Sequence, residues 1–127
     1  MASLDDTLDD LAVLIARVEE STKDRTYEDL IANAEAYDAL VYRLAMIGET
    51  SKRLPDEVRE RHSHLPWRDM AGFRNFASHD YFGIDAKLVW AAAMDLEPIK
   101  AMMREERLRL DLERTRSDRD RDGGPDR

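Results

Sequence analysis

Apolar residues recur every three or four positions through most of this chain, which is the spacing of helices that bury one face. Leu4, Leu8, Leu11, Ile15 and Val18 make the first stripe and predict a helix over residues 3–20. Ser3 with Asp6 has the form of a capping box, and the acidic first turn suits the positive end of a helix dipole. After a polar connection at residues 21–25, Thr26 and Asp29 repeat the capping signal. Leu30, Ala34, Tyr37, Val41, Leu44 and Gly48 then keep a near-heptad spacing, widened by Ile31, Leu40 and Ile47, so one long second helix is predicted from Thr26. A glycine inside a helix costs about 1 kcal/mol against alanine, and Gly48 therefore points to the close approach of another backbone.

Pro55 ends that pattern, residues 56–62 fit a brief helix, and residues 63–66 read as a loop. Pro66, Trp67 and Arg68 read as the start of the next helix, because the N–H that proline lacks is orphaned at a first helical position anyway. Residues 74–81 should fill its last two turns, with Gly83 suited to the left-handed residue that closes many helices. Asp85 caps a final helix carrying Leu88, Val89 and Trp90. Pro98 removes the bond to the carbonyl of Met94, so a kink or break is expected near residues 94–98 before Ile99, Met102 and Met103 resume the stripe. From about Arg114 arginine, aspartate, serine and glycine take over, giving a domain over residues 1–113 and a disordered charged tail over 114–127. The expected fold class is all-α, an antiparallel bundle of four to five helices, with Trp67 and Trp90 as core anchors.

Composition agrees with a helical domain, since 127 residues contain 5 glycines and 4 prolines. Cysteine is absent, which removes disulfides and thiolate metal sites. His62 and His64 alternate without a third ligand at suitable spacing and read as solvated loop histidines, so neither a metal nor a cofactor is expected. The N-terminus is acidic without an apolar signal region, and no apolar run approaches a membrane span; a cytoplasmic protein with no membrane partner is expected. The net charge of −8 is unlike a generic nucleic-acid binder. Its distribution is uneven: residues 39–79 carry 7 basic and 5 acidic groups and all three histidines, whereas residues 1–38 carry 3 basic and 11 acidic groups.

That central, net-basic region leads into Arg74-Asn75-Phe76-Ala77-Ser78-His79-Asp80-Tyr81. Imidazole is the side chain suited to shuttling protons near neutral pH, and guanidinium offers a planar fork of donors to two phosphate oxygens. Together His79 and Arg74 suit metal-free cleavage of RNA. The ribose 2′-OH would attack the adjacent phosphorus, leaving a 2′,3′-cyclic phosphate and a free 5′-OH, while Arg74 stabilises the charge that builds there. Five residues separate the pair, about 140° on an ideal helix, and one histidine cannot be both acid and base. A symmetric dimer, bringing two copies of each group to one cleft, answers both problems. Asn75 and His79, four apart, share a face; Asn75 could orient the imidazole, bind phosphate or cap the local backbone. Arg68, Lys52 and Arg53 could guide RNA or be ordinary surface charges. On its residues alone Tyr81 reads as an interfacial aromatic with a wet hydroxyl.

The Arg-x4-His-x-Tyr pattern, with Asn after the Arg, resembles the signature of the HepT-like ribonuclease toxins of the HEPN superfamily. The similarity extends through Ile47-Gly48-Glu49-Thr50-Ser51-Lys52, Leu65-Pro66-Trp67-Arg68-Asp69-Met70 and Tyr81-Phe82-Gly83-Ile84-Asp85 to Val89-Trp90, covering roughly residues 4–110. The resemblance implies a homodimeric helical endoribonuclease in which Arg74 and His79 are the catalytic pair at the dimer interface. It also implies that Tyr81 accepts AMP from an MntA-type nucleotidyltransferase antitoxin. The alternative reading is a non-catalytic accessory subunit that binds such a nucleotidyltransferase without cutting RNA, and the acidic net charge favours it.

Overall fold

The computed structural model describes residues 3–122. They form α1 (Leu4–Thr22), α2 (Tyr27–Ile31), α3 (Ala34–Ser51), α4 (Asp56–Arg61), α5 (Trp67–His79), a 3-10 turn (Tyr81–Gly83), α6 (Ala86–Met94) and α7 (Glu97–Asp122). No strand occurs among the described residues, and the five longer helices make the expected all-α bundle. None of these helices is long and apolar enough to cross a membrane.

The first stripe works as its spacing requires. Ser3 and Asp6 close a reciprocal capping box on α1, and Leu8, Leu11, Ile15 and Val18 are buried. They pack on α3, the helix around which the bundle is built: it touches α1, α2, α5 and α6. Gly48 explains how closely α5 can seat. A Cβ at this position would lie 1.8 Å from the main-chain oxygen of Met70 and 2.6 Å from its carbon, so α3 and α5 meet backbone to backbone.

Several expectations are corrected. The long second helix from Thr26 is two helices. Thr26 does form its capping box, but only over five residues, and Asn33 then caps α3 by accepting from the Ala36 N–H at 3.1 Å. A local side-chain bond here outcompetes the continuing apolar pattern. The motif helix stops at His79 rather than Tyr81. Asp80 leaves helical geometry, its N–H still reaching the Phe76 carbonyl at 2.8 Å, and Tyr81–Gly83 turn as 3-10. Gly83 has no positive φ, and the atoms nearest an added Cβ belong to the exposed Asp80 carboxylate rather than to backbone. The break at Pro98 is present, with α6 ending at Met94 and α7 beginning at Glu97. Trp67 and Trp90 are half-buried at the edge of the core, Trp67 donating its indole N–H to the His62 carbonyl at 3.0 Å.

His62 is not a solvated loop residue. It is buried, and its Nε2 lies 2.8 Å from a carboxylate oxygen of Glu106, which is wholly inaccessible. Arg61 completes the cluster with bonds of 3.1 and 2.6 Å to the same carboxylate, tying α4 to α7. Burial pushes the Glu106 carboxyl up, but the bonds from Arg61 and His62 outweigh it and hold the group below its ordinary range. The sequence carried a signal for this: Glu106 falls on the stripe of Ile99, Met102 and Met103, and a carboxylate on an apolar stripe calls for a buried cationic partner.

α7 also runs past Arg114, where disorder was expected, and remains helical to Asp122; residues 123–127 lie outside the described residues. Arg114 pairs with Asp5 on α1, and Arg107 reaches Asp5 at 3.1 Å and Asp9 at 2.5 Å. The charged segment also repeats its arginines and aspartates four apart (Arg114 and Asp118, Arg116 and Asp120), a spacing that supports helix.

Candidate functional site

The site is built on the C-terminal half of α5 and the turn that follows. Among the described residues α5 buries none of its side chains fully, so the helix lies on the surface of the bundle. Arg74, Asn75, His79 and Tyr81 are all exposed. The residues expected to do chemistry are therefore open to a large anionic substrate, and none is sealed in the core.

α3 supplies a carboxylate to each end of this stretch. Glu49 is the first: its carboxylate lies 4.0 Å from an Arg74 guanidinium nitrogen and 2.8 Å from the Lys52 ammonium. The Lys52 hydrogen bond, with the field of Arg74 added, holds the Glu49 carboxyl below its ordinary range. Glu49 thus gathers two cations into one positive edge while taking up part of their charge. Asp38, eleven residues earlier, is the second. Eleven residues bring an α-helix back to within about 20° of the same direction, so both carboxylates share one face of α3. The Tyr81 hydroxyl donates to Asp38 Oδ1, and this bond is the main cause that raises the tyrosine above its usual ionisation range. The Tyr81 ring also packs edge-on against Tyr37, centroids 6.4 Å apart, and against Phe82 at 5.1 Å.

The other sequence candidates divide. Lys52 joins the Arg74 edge through Glu49. Arg53 does not: its guanidinium reaches away to Asp10 on α1 at 2.8 Å. Arg68 is exposed in the first turn of α5, six residues and thus about 240° around the helix from Arg74. Asn75 and His79 are exposed one turn apart on the same side of α5. Motif reasoning missed Asp38 and Glu49, because their partners are tens of residues away in the chain and only the packing of α5 on α3 brings them together.

Beside the motif, α3, α5, α6 and the start of α7 enclose an open apolar groove of about 750 Å³, lined among others by Leu44, Met70, Phe73, Phe76 and Leu88. Phe76, Phe82 and Leu88 are 47, 96 and 69% exposed around this corner, an apolar surface unusual for a face that stays in water.

With this geometry stand the comparisons with known proteins. The family model described as "Ribonuclease HepT-like" matches residues 11–106, a span that holds α3, α5, the 3-10 turn and every residue of the motif. The chain belongs to this family. It is 36% identical over 85 residues to a "Probable ribonuclease HepT" from Thermococcus cleftensis, covering 67% of this chain and 77% of that one. It is 38% identical over 87 residues to a "Putative RNase" from Caldanaerobacter subterraneus subsp. tengcongensis, covering 68% of this chain and 74% of the relative. A third relative, a "Gamma-glutamylcyclotransferase and putative RNase" from Methanocaldococcus jannaschii, is 41% identical over 76 residues, or 60% of this chain but only 34% of that longer protein. No solved structure matches the chain. This HepT-like protein is thus an all-α bundle with an exposed motif helix, and these relatives carry ribonuclease names.

Proposed function

We propose that this HepT-like protein is a metal-independent endoribonuclease toxin of a toxin–antitoxin pair, acting as a cytoplasmic homodimer. The observation that carries the reading is the joint exposure of Arg74, Asn75, His79 and Tyr81 along one end of α5, in a chain of the HepT-like family. Arg74 binds the scissile phosphate and stabilises the charge developing on it, and His79 moves the proton of the ribose 2′-OH or of the leaving 5′-oxygen. Asn75, on the His79 side of the helix, orients the imidazole or contacts phosphate, and Lys52 extends the positive edge. A second copy supplies the missing acid or base. The exposed Phe76, Phe82 and Leu88 and the apolar groove beside them support pairing at this face. An MntA-type nucleotidyltransferase antitoxin neutralises the enzyme by transferring AMP to Tyr81, which adds negative charge and bulk next to Arg74.

The test is cleavage of total RNA by purified protein in the presence of a chelator. Wild type should yield 2′,3′-cyclic phosphate ends. Arg74→Ala and His79→Ala should each lose roughly 10²–10⁴-fold in rate, with unfolding unchanged because both side chains are exposed. Light scattering should report a dimer. The net charge of −8 favours a second reading, an accessory subunit that binds a nucleotidyltransferase without cutting RNA. RNA left intact by a folded wild-type dimer, with the two variants behaving identically, would establish that reading in place of the nuclease.

A further inference from the structure

We propose that Asp38 is the general base for nucleotide transfer to Tyr81: its carboxylate, hydrogen-bonded to the tyrosine hydroxyl across the α3–turn contact, takes the phenolic proton as the oxygen attacks phosphorus. This deepens the reading of Tyr81 as an AMP acceptor and rests on it.

A phenol is a poor nucleophile while it keeps its proton, and an ordinary tyrosine is ionised in only about one molecule in 10³ at pH 7. Pre-formed phenolate is scarcer still here, because the bond to Asp38 favours the protonated form. The proton must then leave during the transfer, and Asp38 is already the group that accepts its hydrogen bond. A carboxylate is a weak base toward a resting phenol. It becomes competent once the phenolic oxygen begins to bond to phosphorus and its acidity rises.

The surroundings of the hydroxyl suit this role. Tyr37 packs edge-on against the Tyr81 ring with centroids 6.4 Å apart, and the ring's hydroxyl donates to Asp38. Tyr81 is nevertheless 38% exposed, and Asp38 is also at the surface, which leaves an approach for an incoming phosphorus. The titratable groups acting on the tyrosine from the packed elements are Asp38 and Tyr37 of α3; Asp85, ahead of α6, acts on Tyr37 in turn.

The step balances with ATP as the co-reactant and the nucleotidyltransferase as its carrier. A bond forms between the Tyr81 phenolic oxygen and the α-phosphorus, and the bond from that phosphorus to the oxygen bridging to the β-phosphate breaks. Pyrophosphate leaves with that electron pair. The phenolic proton passes to the Asp38 carboxylate and then to water, and nothing is oxidised or reduced.

Initial rates of AMP addition, read by intact mass, test the assignment on the full chain with the MntA-type nucleotidyltransferase and ATP between pH 6 and 9. Asp38→Asn keeps an acceptor oxygen but cannot take a proton. At pH 7 it should slow the transfer roughly 10²–10⁴-fold, leave the chain folded and its affinity for the transferase unchanged, and recover rate steadily as hydroxide replaces the missing base. Asp38→Glu should restore part of the rate. Tyr81→Phe should gain no AMP. If Asp38→Asn is modified as fast as wild type while Tyr81→Phe stays unmodified, the role of Asp38 is overturned and the acceptor stands. A slow Asp38→Asn whose rate ignores pH, or whose affinity for the transferase collapses, reduces Asp38 to a docking contact and overturns the base. If wild type gains no AMP, or Tyr81→Phe is modified like wild type, both the base and the acceptor fall.

Discussion

Replacing Gly48 by alanine measures how the motif helix is seated. The added Cβ would sit 1.8 Å from the Met70 carbonyl oxygen, against a floor of 3.0 Å below which real contacts essentially do not occur. The obstacle is main chain, so no side chain can rotate away, and α5 must retreat from α3 by roughly the ~1.2 Å difference between these distances. Overpacking of this kind costs about 1–3 kcal/mol, and a backbone obstacle belongs near the upper end. The gain in helix propensity returns about 1 kcal/mol. The net loss is therefore about 2 kcal/mol, or roughly 6–12 °C in Tm for a chain of this size. Met70 and Arg74 are one turn apart on α5, so the displacement is passed to the guanidinium, and misplacement by about 1 Å can cost 10²-fold in rate. Gly72, on the same helix, is the control. An added Cβ there meets nothing within 4 Å, so Gly72→Ala should stabilise by about 0.5–1 kcal/mol. Urea unfolding of both variants, with RNA cleavage measured alongside for Gly48→Ala, decides the matter. A Gly48→Ala protein as stable and as active as wild type would refute the backbone contact as the device that positions the site.

Two further outcomes follow from the ionisable groups. Glu106→Ala removes the acceptor shared by Arg61 and His62 and should destabilise by about 3 kcal/mol, the low end for a broken buried pair because Arg61 is partly exposed. Because the folded Glu106 carboxyl is held below its ordinary value of 4.5, its contribution is present above that pH and is lost as pH falls through the folded value. The stability gap between wild type and Glu106→Gln should accordingly be full at pH 7 and shrink on acidification below pH 4.5; a gap independent of pH would contradict the cluster. Tyr81 should ionise above the ordinary tyrosine value of 10.0 in the wild type and at lower pH in Asp38→Asn, read as the phenolate absorbance difference from Tyr81→Phe. Its raised value means that the hydrogen bond stabilises the fold below pH 10 and that this stabilisation is lost as pH rises through the folded value.

By itself the sequence determined what depends on near neighbours. The apolar stripe of α1, the capping boxes at Ser3 and Thr26, the break at Pro98 and the placing of Arg74, Asn75 and His79 on one helix all follow from spacings of a few residues. Even the tight crossing at Gly48 was legible, because a glycine inside a helix needs a reason. Local competition of nearly equal strength was harder to read, as at Asn33, where a cap cuts an apolar pattern that runs on unbroken. Tertiary structure alone decided which distant groups share a space. It carried His62 out of water onto Glu106, took Arg53 away to Asp10, and set Asp38 and Glu49 of α3 against Tyr81 and Arg74. Those pairings depend on where helices cross, and a crossing is fixed by the volume and shape of two packed surfaces, which no stretch of either helix encodes alone.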